Sequence, residues 1–304
     1  RLQWAHKYFV AEMGAYGIGS IKRLCDFIRP NYGIVTAVGD AHTERFGSIE
    51  AIAKAKSELA EEVCSAGGIV VLNADVLKYA PFQHLKDHFG AQMISVGSKG
   101  ADVTIDAIEI QGNSWSITLR SADRRVPEVA YELSLLGEHN IMNSALAVTL
   151  AVILDNEIAD QIPYFTRTIA QIPHRLQKLE TPGSALILDD AYNSNEHGFI
   201  SAVTLLDKFG KQRKGRRILV TPGIAELGLE HDCVHARLGA FCSDKCDVIY
   251  AVNPRRIRSF IEAIDTGKTT LVEIGTLADA RESLARELRV EDVVLYENDL
   301  PDLL

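Results

Sequence analysis

At 304 residues, 47% hydrophobic and 24% charged, the chain is long enough for two ordinary globular domains with ample core. A formal net charge of −9 excludes a protein that grips a nucleic-acid backbone through a basic face. No apolar run reaches membrane-spanning length and the N-terminus lacks signal-peptide shape, so a cytoplasmic chain is expected.

Tyr8-Phe9-Val10-Ala11 reads as an apolar strand over 8–13, delivering Glu12 just past it, and a helix over 18–28 stops before Pro30. A second apolar strand, 33–38, runs through Ile34-Val35-Thr36-Ala37-Val38 into the loop Gly39-Asp40-Ala41-His42. The helix over 48–65 follows. Its Ile49, Ile52, Ala53, Leu59, Ala60 and Val63 recur at three- and four-residue steps, the pattern of one buried stripe. Lys56 falls on that stripe, whereas Glu50, Lys54, Glu58 and Glu61 lie on the wet side, with Glu50/Lys54 and Lys54/Glu58 at pairing distance. A lysine aimed inward is costly unless it is paired, modified, or snorkels along the core edge. Glu12, His42 and Lys56 would then converge at the carboxyl ends of parallel strands, where open α/β sheets bind ligands, and have the makings of a cation site.

Gly67-Gly68 closes the helix, and 69–73 and 92–96 read as further strands. This alternation implies a mostly parallel sheet covered on both faces. Between 103 and 135 the period changes to two, with Ile108, Ile110, Trp115, Ile117 and Leu119 alternating around Gly112-Asn113, which is an antiparallel ribbon. A helix resumes after Gly137, with Asn140 at its start. Beyond Pro173, strands at 186–188, 216–221, 247–252, 270–274 and 292–296 alternate with helices at 198–209, 232–243, 256–264 and 277–288, a five-strand Rossmann-like unit. The hinge falls between Ile172 and Glu180, giving domains 1–172 and 173–304.

The five cysteines (Cys25, Cys64, Cys233, Cys242, Cys246) are odd in number and irregularly spaced, against a disulfide framework. Cys233, Cys242 and Cys246 lie near His231 and His235, but the paired short spacing of a zinc ribbon is missing. Gly267-Lys268-Thr269-Thr270 imitates a phosphate loop; Glu262 stands where its first glycine belongs, and helix and strand flank it in the wrong order, so an exposed turn is expected.

Ala11-Glu12-Met13-Gly14-Ala15, Gly19-Ser20-Ile21, Thr36-Ala37-Val38-Gly39-Asp40-Ala41-His42, Phe46-Gly47-Ser48 and Ala53-Lys54-Ala55-Lys56 together resemble the central domain of the Mur ligases. Gly137-Glu138-His139-Asn140 with Asn143, Pro173-His174-Arg175-Leu176, Asp189-Asp190-Ala191-Tyr192-Asn193-Ser194-Asn195 and Ala225-Glu226-Leu227-Gly228 continue the likeness in family order.

The resemblance implies α/β architecture: a partial central ATPase domain, mostly parallel sheet plus antiparallel ribbon, then a Rossmann-like C-terminal domain. It implies an ATP-dependent, magnesium-requiring ligase that phosphorylates a carboxylate and lets an amine attack the acyl phosphate, chiefly by positioning and charge neutralisation. The likeness is strongest to the branch that joins a D-alanyl-D-alanine-type amine to a UDP-MurNAc-peptide in cell-wall synthesis, and a monomer is expected. Glu12 and His42 match magnesium ligands, and Lys56 matches the family's carbamylated lysine, an anion beside the metals. Asn140 and Asn143 match residues that bond adenine (a helix N-cap being the alternative for Asn140), and Arg175 an arginine that reaches the ATP phosphates. Asp190, Asn193 and Asn195 match a loop that closes over the nucleotide, although Asp189-Asp190 could equally be turn and cap chemistry. Glu226 and His235 are candidates to face the amine.

Two departures matter. Thr221-Pro222-Gly223-Ile224 replaces the Gly-Asp-Met common before Ala-Glu-Leu-Gly, and the family's phosphate loop and uridine-nucleotide domain have no counterpart in these residues. By themselves these residues are therefore expected to turn over no substrate and to bind ATP poorly. Two alternatives stay open: another Mur or folylpolyglutamate-type ligase, and a non-catalytic relative acting as a binding partner.

Overall fold

The computed structural model describes residues 5–39, 46–110, 114–192, 195–225 and 227–298. Two compact units are distinguished, one of residues 1–106, 119–129 and 145–159, the other of 107–118, 130–144 and 160–304.

In the first sheet β1 (Tyr32–Val35), β2 (Ile69–Asn73) and β3 (Met93–Gly97) are parallel neighbours, with Ile34 opposite Val71 and Val71 opposite Ile94. β4 (Val103–Ile110) joins β3 in parallel at Val96↔Val103, and β5 (Ser114–Ser121) and β6 (Val129–Leu133) complete the order β1-β2-β3-β4-β5-β6. Val70, Val71, Leu72, Ile94 and Val96 are buried, as strands covered on both faces require. Helix α1 spans Ser20–Ile28, α2 spans Ile49–Ser65 and α3 spans Ala80–Phe89. α2 begins where Ser48 Oγ accepts from Ala51 N at 3.1 Å. It ends where Gly67, at φ +84, folds its N–H back to Cys64 O while Gly68 N donates to Val63 O.

Three expectations about this region are corrected. Residues 8–13 do not form a strand, and Val10 is 92% exposed. A parallel strand exists only through its ladder to a neighbour, and this segment pairs with no strand among the described residues. Ile108 faces solvent, so the alternation seats Ile117 and Leu119 of β5 but not Ile108 of β4. Glu58 is buried rather than on the wet side: its carboxylate accepts from Gly19 N at 2.5 Å and Lys22 N at 3.0 Å, capping α1 from another helix, while Lys54 pairs with Glu61 at 3.8 Å. α3, with Pro81 at its start, was not anticipated.

Helix α4 spans His139–Leu154 and α5 spans Ile162–Arg167. The second sheet has the order β11-β10-β9-β12-β8-β7. Its strands are β7 (Gln177–Leu179), β8 (Leu186–Asp190), β9 (Arg217–Thr221), β10 (Val248–Val252), β11 (Thr270–Ile274) and β12 (Val293–Glu297). Five are parallel; β7 runs antiparallel to β8, the extra strand being too short for periodicity to reveal. The helices are α6 (Glu196–Arg213), α7 (His231–Ser243), α8 (Arg258–Glu262) and α9 (Leu277–Ala285). Phe199 and Phe260 meet edge to face at 6.3 Å in a core that includes Leu206, Leu219, Leu238 and Ile249. β12 inserts between β8 and β9, so the carboxyl ends of these three strands meet where the strand order changes direction, the ligand-bearing edge of open α/β sheets.

Candidate active site

Lys56 occupies the place its spacing suggested. It is half-buried, and its Nζ donates to Ala37 O at 2.8 Å, two residues past the end of β1. Burial pulls its pKa below the ordinary lysine value, favouring the neutral amine. Glu12 stands exposed on an irregular stretch. His42 lies outside the described residues, as do Asn193 and Glu226. No cluster of three or more His, Cys, Asp or Glu is placed to hold a metal among the described residues.

A cavity of about 370 Å³ gathers three other predicted residues, Asn140, Asn143 and Arg175, with His139, Ile172 and Leu176 among its walls. Asn140 does not cap α4. It sits inside the first turn, its Nδ2 donating to Leu136 O at 2.7 Å and its Oδ1 accepting from Asn143 Nδ2 at 3.5 Å. The two amides thus lie side by side on the cavity wall, one helical turn apart.

Arg175 is presented by a strained turn. His174 and Leu176 adopt left-handed φ values of 60° and 52°, each costing about 1 kcal/mol or more for a residue with a Cβ. Contacts from the end of β8 offset this. His174 Nδ1 hydrogen-bonds Asp189 Oδ2 at 2.9 Å, Tyr192 N donates to His174 O at 3.1 Å, and Leu176 N donates to Asp190 Oδ1 at 2.9 Å. The guanidinium lies over the Tyr192 ring, 4.1 Å from its centroid. Burial raises the Asp190 pKa, against the pull of the Leu176 N–H and Arg175. The Pro-His-Arg-Leu and Asp-Asp-Ala-Tyr stretches therefore build one clamp.

The other positions divide. Asn195 Oδ1 accepts from Gly198 N at 2.8 Å, making it the N-cap of α6. Asp189 Oδ1 accepts from Ala191 N at 3.2 Å, the turn chemistry weighed for this pair. His235 is 0% exposed and offers substrate no free nitrogen: Nε2 accepts from Ile224 N at 3.1 Å and Nδ1 donates to His231 O at 2.8 Å. Its expected contact with an amine is corrected to a place behind the loop, because helical periodicity turns this face of α7 into the core. Cys242 and Cys246 are core residues as well. Of the Gly267–Thr270 tetrapeptide, Gly267–Thr269 form a turn and Thr270 opens β11, and its donors are taken, Gly267 N by Asp265 Oδ1 and the Thr269 hydroxyl by Ser243 O and Cys246 O. Arg256 and Asn298 were not singled out from the sequence; a basic pair and a polar residue just past a strand end are too common to mark them.

The Mur ligase middle domain matches residues 2–151, and the Mur ligase, glutamate ligase domain matches residues 174–296. The chain belongs to the Mur ligase family. Among its relatives is the UDP-N-acetylmuramoyl-tripeptide--D-alanyl-D-alanine ligase of Escherichia coli (strain K12), 30% identical over 239 residues, which are 79% of this chain and 51% of that protein. The fold is similar to that of MurF from Acinetobacter baumannii, with a TM-score of 0.78 at 24% identity over 98% of this chain and 62% of that one. It is also similar to MurF ligase from Thermotoga maritima in complex with ADP, with a TM-score of 0.74 at 24% identity over 94% and 62%. The chain spans about half the length of the curated relative it matches.

Proposed function

We propose that the chain carries the central (1–172) and C-terminal (173–304) parts of an ADP-forming amide ligase of peptidoglycan precursor synthesis, working in the cytoplasm. The γ-phosphoryl group of ATP passes to a carboxylate oxygen of a UDP-MurNAc-peptide and ADP departs. The nitrogen of a D-alanyl-D-alanine-type amine then attacks the acyl carbon, phosphate leaves, and the amine gives up a proton.

The observation that carries this reading is the cavity that gathers Asn140, Asn143 and Arg175. Amide groups offer donor and acceptor together, as an adenine edge requires. A guanidinium fork suits phosphate oxygens, and stacking on Tyr192 orients it. Asp190 holds the Arg175-Leu176 turn, and Asn195 starts the helix behind the same loop.

Magnesium, when bound, would neutralise charge on the phosphates, with Glu12, His42 and Lys56 as its holders. A half-buried amine whose pKa burial lowers fits carbamylation. Glu12 is exposed on an irregular stretch, and no group of three or more His, Cys, Asp or Glu is placed to hold a metal among the described residues.

The test is phosphate release by the full-length protein with ATP, UDP-MurNAc-tripeptide and D-alanyl-D-alanine. Release should require all three, and Arg175→Ala should lower kcat/KM for ATP by about a hundredfold. Turnover with a folate and glutamate instead would point to the folylpolyglutamate branch. No turnover with either set would refute the reading.

A further inference from the structure

The register of the second sheet brings two acids together. β8 and β12 are parallel neighbours, with Leu186 opposite Val293, Leu188 opposite Leu295 and Asp190 opposite Glu297. Side chains alternate between the faces of a strand, so these six residues share one face. The first four are core residues, buried with Leu219, Cys242 and Cys246. The last step of that apolar row is a pair of carboxyls on strands about 4.8 Å apart.

Glu297 is 0% exposed and Asp190 is half-buried. Two ionised carboxylates at that spacing would repel each other where water screens poorly, and a sealed anion costs far more than its neutral acid. The two side chains nevertheless hydrogen-bond each other. An ionised carboxylate only accepts, so the bond requires a proton on one of them. The surroundings say which. Asp190 Oδ1 accepts from Leu176 N at 2.9 Å, and Arg175 favours its anion, with Asp189 opposing. Glu297 lies within electrostatic reach of the Cys242 thiol, which burial keeps protonated and which hydrogen-bonds Cys246. Glu297 is therefore the acid that donates, and Asp190 the anion that accepts.

We propose that Asp190 and Glu297 hold one proton between them, and that Glu297, through this proton, is the positioning residue that keeps the Arg175 turn set against the cavity wall. Asp190 joins the two parts, meeting Glu297 on one side and the Leu176 N–H on the other. Asn298 N donates to Asp190 O at 3.1 Å and so carries the ladder one residue past Glu297. Loss of the proton would leave two anions at paired ladder positions. The half-buried Asp190 is the one with room to turn away, and in turning it would release Leu176 N. That the ligand beside Arg175 is ATP rests on the ligase reading above; the shared proton does not.

In the 304-residue chain, the carboxyl carbons of Asp190 and Glu297 are followed by NMR from about pH 4 to about pH 9. At pH 7 Glu297 should show the shift of an acid and Asp190 that of an anion; two ionised carboxyls at pH 7 would overturn the shared proton. Stability carries the same signature. The unfolded chain ionises both groups by about pH 5, whereas the native chain keeps one proton, so stability falls as pH rises. Glu297→Gln supplies an N–H to Asp190 without titrating. Relative to it, the folding equilibrium constant of the wild type should fall about tenfold per pH unit above pH 5 until the native pair ionises. Parallel pH curves for the two proteins would overturn the shared proton as well. Amide exchange at Leu176 should be about tenfold faster in Glu297→Leu and slow again in Glu297→Gln. Equal exchange in wild type and Glu297→Leu would overturn the positioning role; where Glu297→Leu does not fold, faster Leu176 exchange in the wild type than in Glu297→Gln once the pair ionises decides it, and equal rates there overturn it. In the full-length ligase, Glu297→Leu should raise KM for ATP about tenfold with kcat within about twofold, and Glu297→Gln should restore it. An unchanged KM for ATP in Glu297→Leu would overturn the link to the cavity. A wild type that turns over no ATP would sink the ligase reading, while the carboxyl shifts and the unfolding curves still decide the proton.

Discussion

Acidification should expose His235 as a stability switch. Its ring is fully buried and both nitrogens are engaged, Nε2 as an acceptor that protonation abolishes. Burial, with help from His231 and Arg256 and against the pull of the His231 carbonyl and Asp232, pushes its pKa down to about 4 from the ordinary 6.5. Above pH 6.5 both folded and unfolded chains carry a neutral ring, so this residue adds no pH dependence. Below it the unfolded chain takes up a proton that the native one refuses until about pH 4. Between those values the unfolded state binds more protons and stability falls with falling pH. The interval of 6.5 − 4 = 2.5 pH units, at about 1.36 kcal/mol each, amounts to about 3 kcal/mol, of which about 2 kcal/mol is lost by pH 5. Urea unfolding followed by circular dichroism at pH 7, 6, 5 and 4.5, for wild type and His235→Gln, isolates the effect as the difference between the two curves. Identical pH slopes, or an imidazole that titrates near 6.5 by NMR in the native protein, would refute the reasoning.

Other expectations follow from single contacts. Glu58→Ala removes the acceptor for Gly19 N and Lys22 N and should cost about 1–2 kcal/mol, with faster amide exchange in the first turn of α1; Glu58→Gln should cost less. Gly223→Ala must relieve both a left-handed φ and contacts of 2.4 and 2.5 Å, and should lower stability by about 3 kcal/mol in the same urea assay. If Lys56 carries the proposed metal-holding anion, Lys56→Ala in the full-length protein should abolish the proposed ligase turnover and Lys56→Glu should retain more; normal turnover of Lys56→Ala at low bicarbonate would remove the assignment.

Elements with strong periodicity were readable. The stripe of α2, the apolar runs of β2 and β3, and the alternation of strand and helix after Pro173 all stand where spacing put them. So was the likeness that linked Asn140, Asn143 and Arg175, now found lining one cavity. Tyr8-Phe9-Val10 misled because apolar character is only half of what makes a strand; the other half is a ladder partner, which lies elsewhere in the chain. Glu58 misled for a related reason. Helix phase assigned it to water, but the open N-terminus of α1 supplied two donors that make a buried carboxylate tolerable.

The sequence by itself determined the α/β class, the placement of most helices and strands, and the family, because local periodicity and motif order are properties of neighbouring residues. Tertiary structure alone decided which polar groups are spent and which remain available. His235 looked like a substrate ligand until both its nitrogens were found bonded to backbone, and Arg256 and Asn298 were unremarked until they converged on the carbonyls of Pro222, Gly223 and Ile224. Hydrogen bonds between residues tens of positions apart depend on how sheets stack their strand ends, and linear spacing carries no record of that.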